Sequence, residues 1–221
     1  KEKVVAPSNW GLAICVLGLL QLLISWLGSE YFNMRSSLIV LIAGMVVFLF
    51  GWELLKGMGL PLGYLLFMVP IPYILYDMVA FPLKLFVTKV SVMALKLAGV
   101  VVMREGNIIM FPSTTLEVAD ACSGIRSLLS LLALAVAYSF FITLSTRLRF
   151  VLILSAVPIA VFTNALRVIG TGFLAQWWGG KAAEGFFHEF AGLAVFALAM
   201  VLLVGLGTIL KKIFPVPGGA A

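Results

Sequence analysis

Apolar runs long enough to cross a bilayer recur through most of the chain: Trp10–Gly28, Ser37–Leu55, Leu60–Val79, Ser127–Leu144, Phe150–Leu174 and Phe187–Leu210. A helix needs about 20 apolar residues to span the hydrocarbon core, and a spanning segment must satisfy its own backbone polar groups. Composition points the same way. Charged residues make up 11% of the chain and hydrophobic residues 63%, whereas a soluble domain carries roughly 25% charged residues. So few charges cannot cover so much apolar surface in water. The predicted fold is an all-α polytopic membrane protein of about six transmembrane helices, forming a single membrane-embedded domain over residues 1–221. Pro70 and Pro72 in the third run predict a helix that is broken and buried in the bundle, where neighbouring protein satisfies the freed carbonyls.

The net charge of +6 does not indicate nucleic acid, because Lys and Arg sit mostly at the ends of apolar runs. Lys1 and Lys3, Lys56, Arg147 and Arg149, and Lys211 and Lys212 all fall on one side of a six-span topology. That side is the expected cytoplasmic face, with the lipid bilayer as the partner of these cations. The first apolar run has no small-residue cleavage site after it, so no cleavable signal peptide is expected.

One long segment, residues 80–126, separates the third and fourth runs. Leu83–Leu97 mixes Lys84, Lys89 and Lys96 with apolar residues, which predicts an amphipathic helix lying in the interface. Val100–Arg104 and Asn107–Phe111 flank Glu105-Gly106, which predicts a small extracytoplasmic β-hairpin, with Leu116–Val118 as a short third strand.

The six-span topology brings three reactive residues to the extracytoplasmic face. Cys122 precedes the fourth run, Arg167 lies near the outer end of the fifth, and His188 opens the sixth. With Asp120 as N-cap, Cys122 falls in the first helical turn, and Arg126 four residues on shares its face. A helix N-terminus and a nearby cation both favour the thiolate. Arg167 can hold an oxyanion or a carboxylate, and an ionisable residue inside a span is costly enough to suggest a function. Snorkelling to the interface is the plainer reading of it. Asn164 lies one turn earlier on the same face. His188, the only histidine, can take or give a proton, and Glu184 at i−4 can orient it. Cys15, within an apolar helix, reads as a small buried hydrophobe. No CxxC pair, metal-ligand spacing or glycine-rich phosphate loop is present in the sequence, so no cofactor or metal is expected.

The runs Ala121-Cys122-Ser123-Gly124-Ile125-Arg126 and Asn164-Ala165-Leu166-Arg167, then His188 with Gly192, resemble the exosortase/archaeosortase family, as does Val69-Pro70-Ile71-Pro72. The similarity extends over residues 60–210. The resemblance implies a thiol protease or transpeptidase of the bacterial inner membrane, with Cys122 as nucleophile, Arg167 as the essential arginine and His188 as the histidine. Its implied substrates are membrane proteins with a C-terminal signal of the PEP-CTERM type: a short motif, a hydrophobic helix and a basic tail. The implied acceptor is an amine or a lipid-linked group, and such systems accompany exopolysaccharide production. Family members often have about eight spans, where six are counted here. Residues preceding Lys1, or an undercounted proline-rich region, would explain the difference. Other classes remain open on sequence: a transporter, a non-catalytic scaffold for polysaccharide export, or a serine protease using Ser123.

Overall fold

The computed structural model describes residues 6–112, 114–118, 124–179 and 186–215, with backbone alone for 186–189. Within these residues lie eight α-helices, one 3-10 helix and one small sheet. The chain divides into two compact units, Lys1–Tyr76 and Asp77–Ala221.

The first unit is built on a helical hairpin, α1 (Trp10–Leu27) and α2 (Tyr31–Phe50). The apolar faces of both helices are broken by small residues seven apart. Gly11, Gly18 and Ser25 are buried on α1, and Ser37 and Gly44 on α2. Seven residues are nearly two turns, so these positions form a stripe that lets the two backbones approach closely. A Cβ on Gly44 would sit 2.7 Å from Cys15 Sγ and 2.8 Å from Cys15 N. Cys15 is therefore a packing residue in the helix contact, as its apolar surroundings in the sequence suggest.

Gly51 (φ 88°) ends α2, and α3 (Trp52–Gly57), α4 (Gly59–Tyr64) and a 3-10 turn (Leu65–Met68) follow. These short pieces contact α2 at both ends of the pass. The chain then reaches the α1–α2 turn, where Ser29–Phe32 and Pro70–Tyr73 line one cleft. The third pass of this unit therefore covers residues 52–68, displaced from the expected Leu60–Val79. Pro70 and Pro72 stop it rather than kink it, because neither proline nor the residue before it continues a helix easily. The expected break is present. The expected burial is not: Leu66 is 61% exposed and Met68 47%.

The second unit contains two separate apolar cores, both crossed by one helix. Helix α7 (Thr146–Trp178) has 33 residues, a length of about 50 Å at 1.5 Å per residue. Its first half packs with α6 (Ile125–Phe141) and α8 (Phe186–Ile213) around Leu131, Ala135, Leu152, Ala156, Ala199 and Leu203. Its second half packs with α5 (Tyr73–Leu97) and the sheet around Leu95, Ile109, Phe111, Val118 and Val168. The changeover lies between Ala160, in the first core, and Ala165, in the second.

By length and apolarity α1, α2, α5, α7 and α8 each suffice to cross a bilayer, and α6 is slightly shorter at 17 residues. The helix expected over Leu83–Leu97 is not a separate element. It is the second half of α5, which begins after Pro72 and continues through Pro82. The amphipathic expectation holds within it. Val87, Thr88, Ser91, Val92 and Leu95 form a buried face at helical spacing, and Lys89 and Lys96 lie on the exposed one. Strands β1 (Met103–Glu105), β2 (Ile108–Met110) and β3 (Thr115–Glu117) form an antiparallel sheet in that order, with Glu105 opposite Ile108 and Ile109 opposite Leu116. The two-residue loop opens with Gly106 at φ 61°, as a tight hairpin turn with glycine first requires. The expected hairpin and third strand are both present.

Candidate active site

The junction between the two cores of the second unit is where the candidate residues gather. Thr163, Asn164 and Ala165 are all buried there on α7, with Asn164 only 3% exposed. An asparagine in an otherwise apolar helix is costly unless its amide is engaged. This turn of α7 is fixed from several sides. Thr163 Oγ1 donates to Ile159 O at 2.9 Å, and Ser91 Oγ of α5 donates to Ala165 O at 3.4 Å. Thr171 Oγ1 donates to Arg167 O at 2.8 Å, one turn further on.

The Asn164 side chain lies on the backbone that opens α6. A Cβ built on Gly124 would sit 2.9 Å from both Cγ and Nδ2 of Asn164. Gly124 is the N-cap of α6 and is left-handed, at φ 80°. Glycine is required here twice, once by conformation and once by space. Its carbonyl accepts from Leu128 N at 2.8 Å and from Ser127 Oγ at 3.3 Å, which fixes it to the first turn.

Arg167 is three residues beyond Asn164 and reaches the other neighbour of α7. The three nearest atoms to a Cβ built on Gly192 of α8 all belong to the Arg167 guanidinium: Nη2 at 3.2 Å, Cζ at 3.4 Å and Nη1 at 3.7 Å. His188 lies four residues before Gly192, one helical turn nearer the start of α8. One turn of α7 thus touches the beginning of α6 through Asn164 and the early turns of α8 through Arg167. Arg167 is 21 residues along α7 from Thr146, or about 32 Å, close to one hydrocarbon thickness. Arg147 and Arg149 occupy the first turn of the same helix.

Asn164 and Arg167 are thus placed together, with the backbone of His188 one turn from the Arg167 contact. Cys122, Ser123 and Glu184 lie outside the described residues, as does the His188 side chain. One expectation about the start of α6 is corrected. The N-cap of α6 is Gly124 rather than Asp120, because the helix opens at Ile125, immediately after the left-handed Gly124. Arg126 is exposed in the first turn of α6, and its expected pairing with Cys122 falls outside the described residues. The role of Gly124 is a feature the sequence reading did not find. Its signal is Ser-Gly immediately before an apolar run, an arrangement that marks a helix boundary. Among the described residues, no three His, Cys, Asp or Glu side chains come together to hold a metal.

The sequence pattern of the transmembrane exosortases matches residues 1–205. The chain belongs to this family. As an exosortase it is a multi-pass membrane protein, and its apolar helices fit that assignment. No curated protein and no solved structure matches it significantly.

Proposed function

We propose that this exosortase is a membrane cysteine peptidase and transpeptidase that cleaves C-terminal sorting signals of exported proteins at the outer face of the bacterial inner membrane. The observation that carries the reading is the double contact of α7: Asn164 on Gly124 and Arg167 on Gly192. Cys122 is two residues from Gly124 in the sequence, which by covalent reach alone limits their Cα separation to about 7 Å. His188 is one turn from Gly192. The turn of α7 that carries Arg167 thus touches the chain just after Cys122 and the helix turn just after His188, which supports the reading.

In the proposed reaction the Cys122 thiolate attacks the scissile carbonyl and a C–S bond forms. Arg167 stabilises the oxyanion of the tetrahedral intermediate. The C–N bond breaks as His188 gives a proton to the leaving amine. The thioester is then resolved by an acceptor amine or by water, which His188 deprotonates. Substrates are membrane proteins ending in a short motif of the PEP-CTERM type, an apolar helix and a basic tail. The sidedness follows from the basic residues Arg147, Arg149, Lys211 and Lys212, which occupy the first turn of α7 and the last of α8.

The test is processing of a tagged reporter with such a signal, in membranes with enzyme amounts matched. Cys122→Ala abolishes processing. Arg167→Lys, which keeps charge but loses the planar fork, loses most of it. His188→Ala slows it, and Cys122→Ala/His188→Ala is no worse than Cys122→Ala, because groups acting as a unit are not additive. Near-normal processing by Cys122→Ala would remove the reading.

A further inference from the structure

Gly192 stands in the interior of α8, where glycine is the poorest helix former after proline. Other glycines of the protein answer to helix contacts: Gly44 faces the Cys15 backbone and Gly207 faces Tyr138. Gly192 does not. The three atoms nearest to its missing side chain all belong to one guanidinium, spread from 3.2 to 3.7 Å. Those distances describe a planar group lying over the helix surface at a gap in its side-chain layer.

We propose that Gly192 is a positioning residue, whose lack of a side chain lets the Arg167 guanidinium lie on α8 within one turn of His188. The proposal rests on the reading of Arg167 as the oxyanion-stabilising cation. A methyl group at position 192 would stand closer to Nη2 than nine in ten real Cβ contacts allow, so the guanidinium must shift away from α8. The backbone of α8 need not change. Alanine is the better helix former, so the substitution favours the helix while it displaces the cation. Fold and turnover therefore respond in opposite directions, a pattern that a packing glycine does not give.

The experiment uses the full chain in detergent and a reporter protein ending in a Pro-Glu-Pro motif, an apolar helix and a basic tail. Gly192→Ala is expected to lower kcat by about threefold to tenfold, because the guanidinium gives by a few tenths of an ångström and a full 1 Å misplacement costs about a hundredfold. KM is expected to stay within about twofold and the unfolding temperature to stay level or rise. Gly192→Ser is expected to behave alike. In an Arg167→Lys background Gly192→Ala is expected to add almost nothing, since no planar group remains to displace. Unchanged kcat in Gly192→Ala overturns the proposal. So does a loss of turnover matched by a fall in unfolding temperature, or a full additional loss in the Arg167→Lys background. Cys122→Ala runs alongside: if it still processes the reporter, the cysteine-peptidase reading fails, independently of what Gly192→Ala does.

Discussion

Gly124→Ala perturbs the best-defined contact of the candidate site, and its cost can be worked from the structure. Gly124 has φ 80°, and a left-handed conformation costs an L-residue about 1–2 kcal/mol. The new Cβ would also lie 2.9 Å from two atoms of Asn164, itself only 3% exposed and so with little room to move. Overpacking of that kind costs about 1–3 kcal/mol. The sum is about 2–5 kcal/mol. Gly106→Ala is the matched control. Its φ is 61°, but nothing lies within 4 Å of the added atom, so only the conformational part of about 1–2 kcal/mol applies. Gly124→Asn separates the two causes in another way, because asparagine tolerates the left-handed region yet still needs the space. The assay is denaturant unfolding in detergent followed by tryptophan fluorescence. Gly124→Ala is expected to be less stable than Gly106→Ala by about 1–3 kcal/mol, and Asn164→Ala is expected to recover most of that difference when combined with it. Equal losses for Gly124→Ala and Gly106→Ala, or strict additivity with Asn164→Ala, would refute the crowding argument.

Two further outcomes follow from the packing. Leu95→Ala is expected to destabilise by about 2–5 kcal/mol, because Leu95 is fully buried and fills the space beside Gly172, while Leu97→Ala, 84% exposed, is expected to cost little in the same unfolding assay. An impermeant thiol reagent applied from outside is expected to label Cys122 and to spare Cys15, which packs against Gly44; mass spectrometry of the labelled peptides checks both.

The parts of this fold that were legible in the sequence are those encoded by local runs. The apolar stretches behind α1, α6, α7 and α8, and the Gly106 hairpin, need only neighbouring residues to declare themselves. The level of the third pass was not legible, because hydropathy continues past Pro70 and Pro72 and the backbone does not. The extent of α7 was not legible either. Residues 165–178 leave the bundle core and join the second core with α5 and the sheet, and their apolar character serves both environments alike. For the site, sequence spacing could put Asn164 and Arg167 one turn apart on α7, because a three-residue separation is a property of one helix. It could not pair Asn164 with Gly124 or Arg167 with Gly192, since those contacts join residues 40 and 25 positions apart in sequence, and only tertiary packing creates them.

The account turns on a covalent bond to Cys122. The most direct measurement is mass spectrometry of the enzyme quenched in acid during turnover of the signal-bearing reporter. The predicted result is the processed reporter joined to the Cys122 peptide as a thioester, released by hydroxylamine and lost in Cys122→Ala together with processing. Continued processing by Cys122→Ala, with no adduct on any cysteine, would contradict the account.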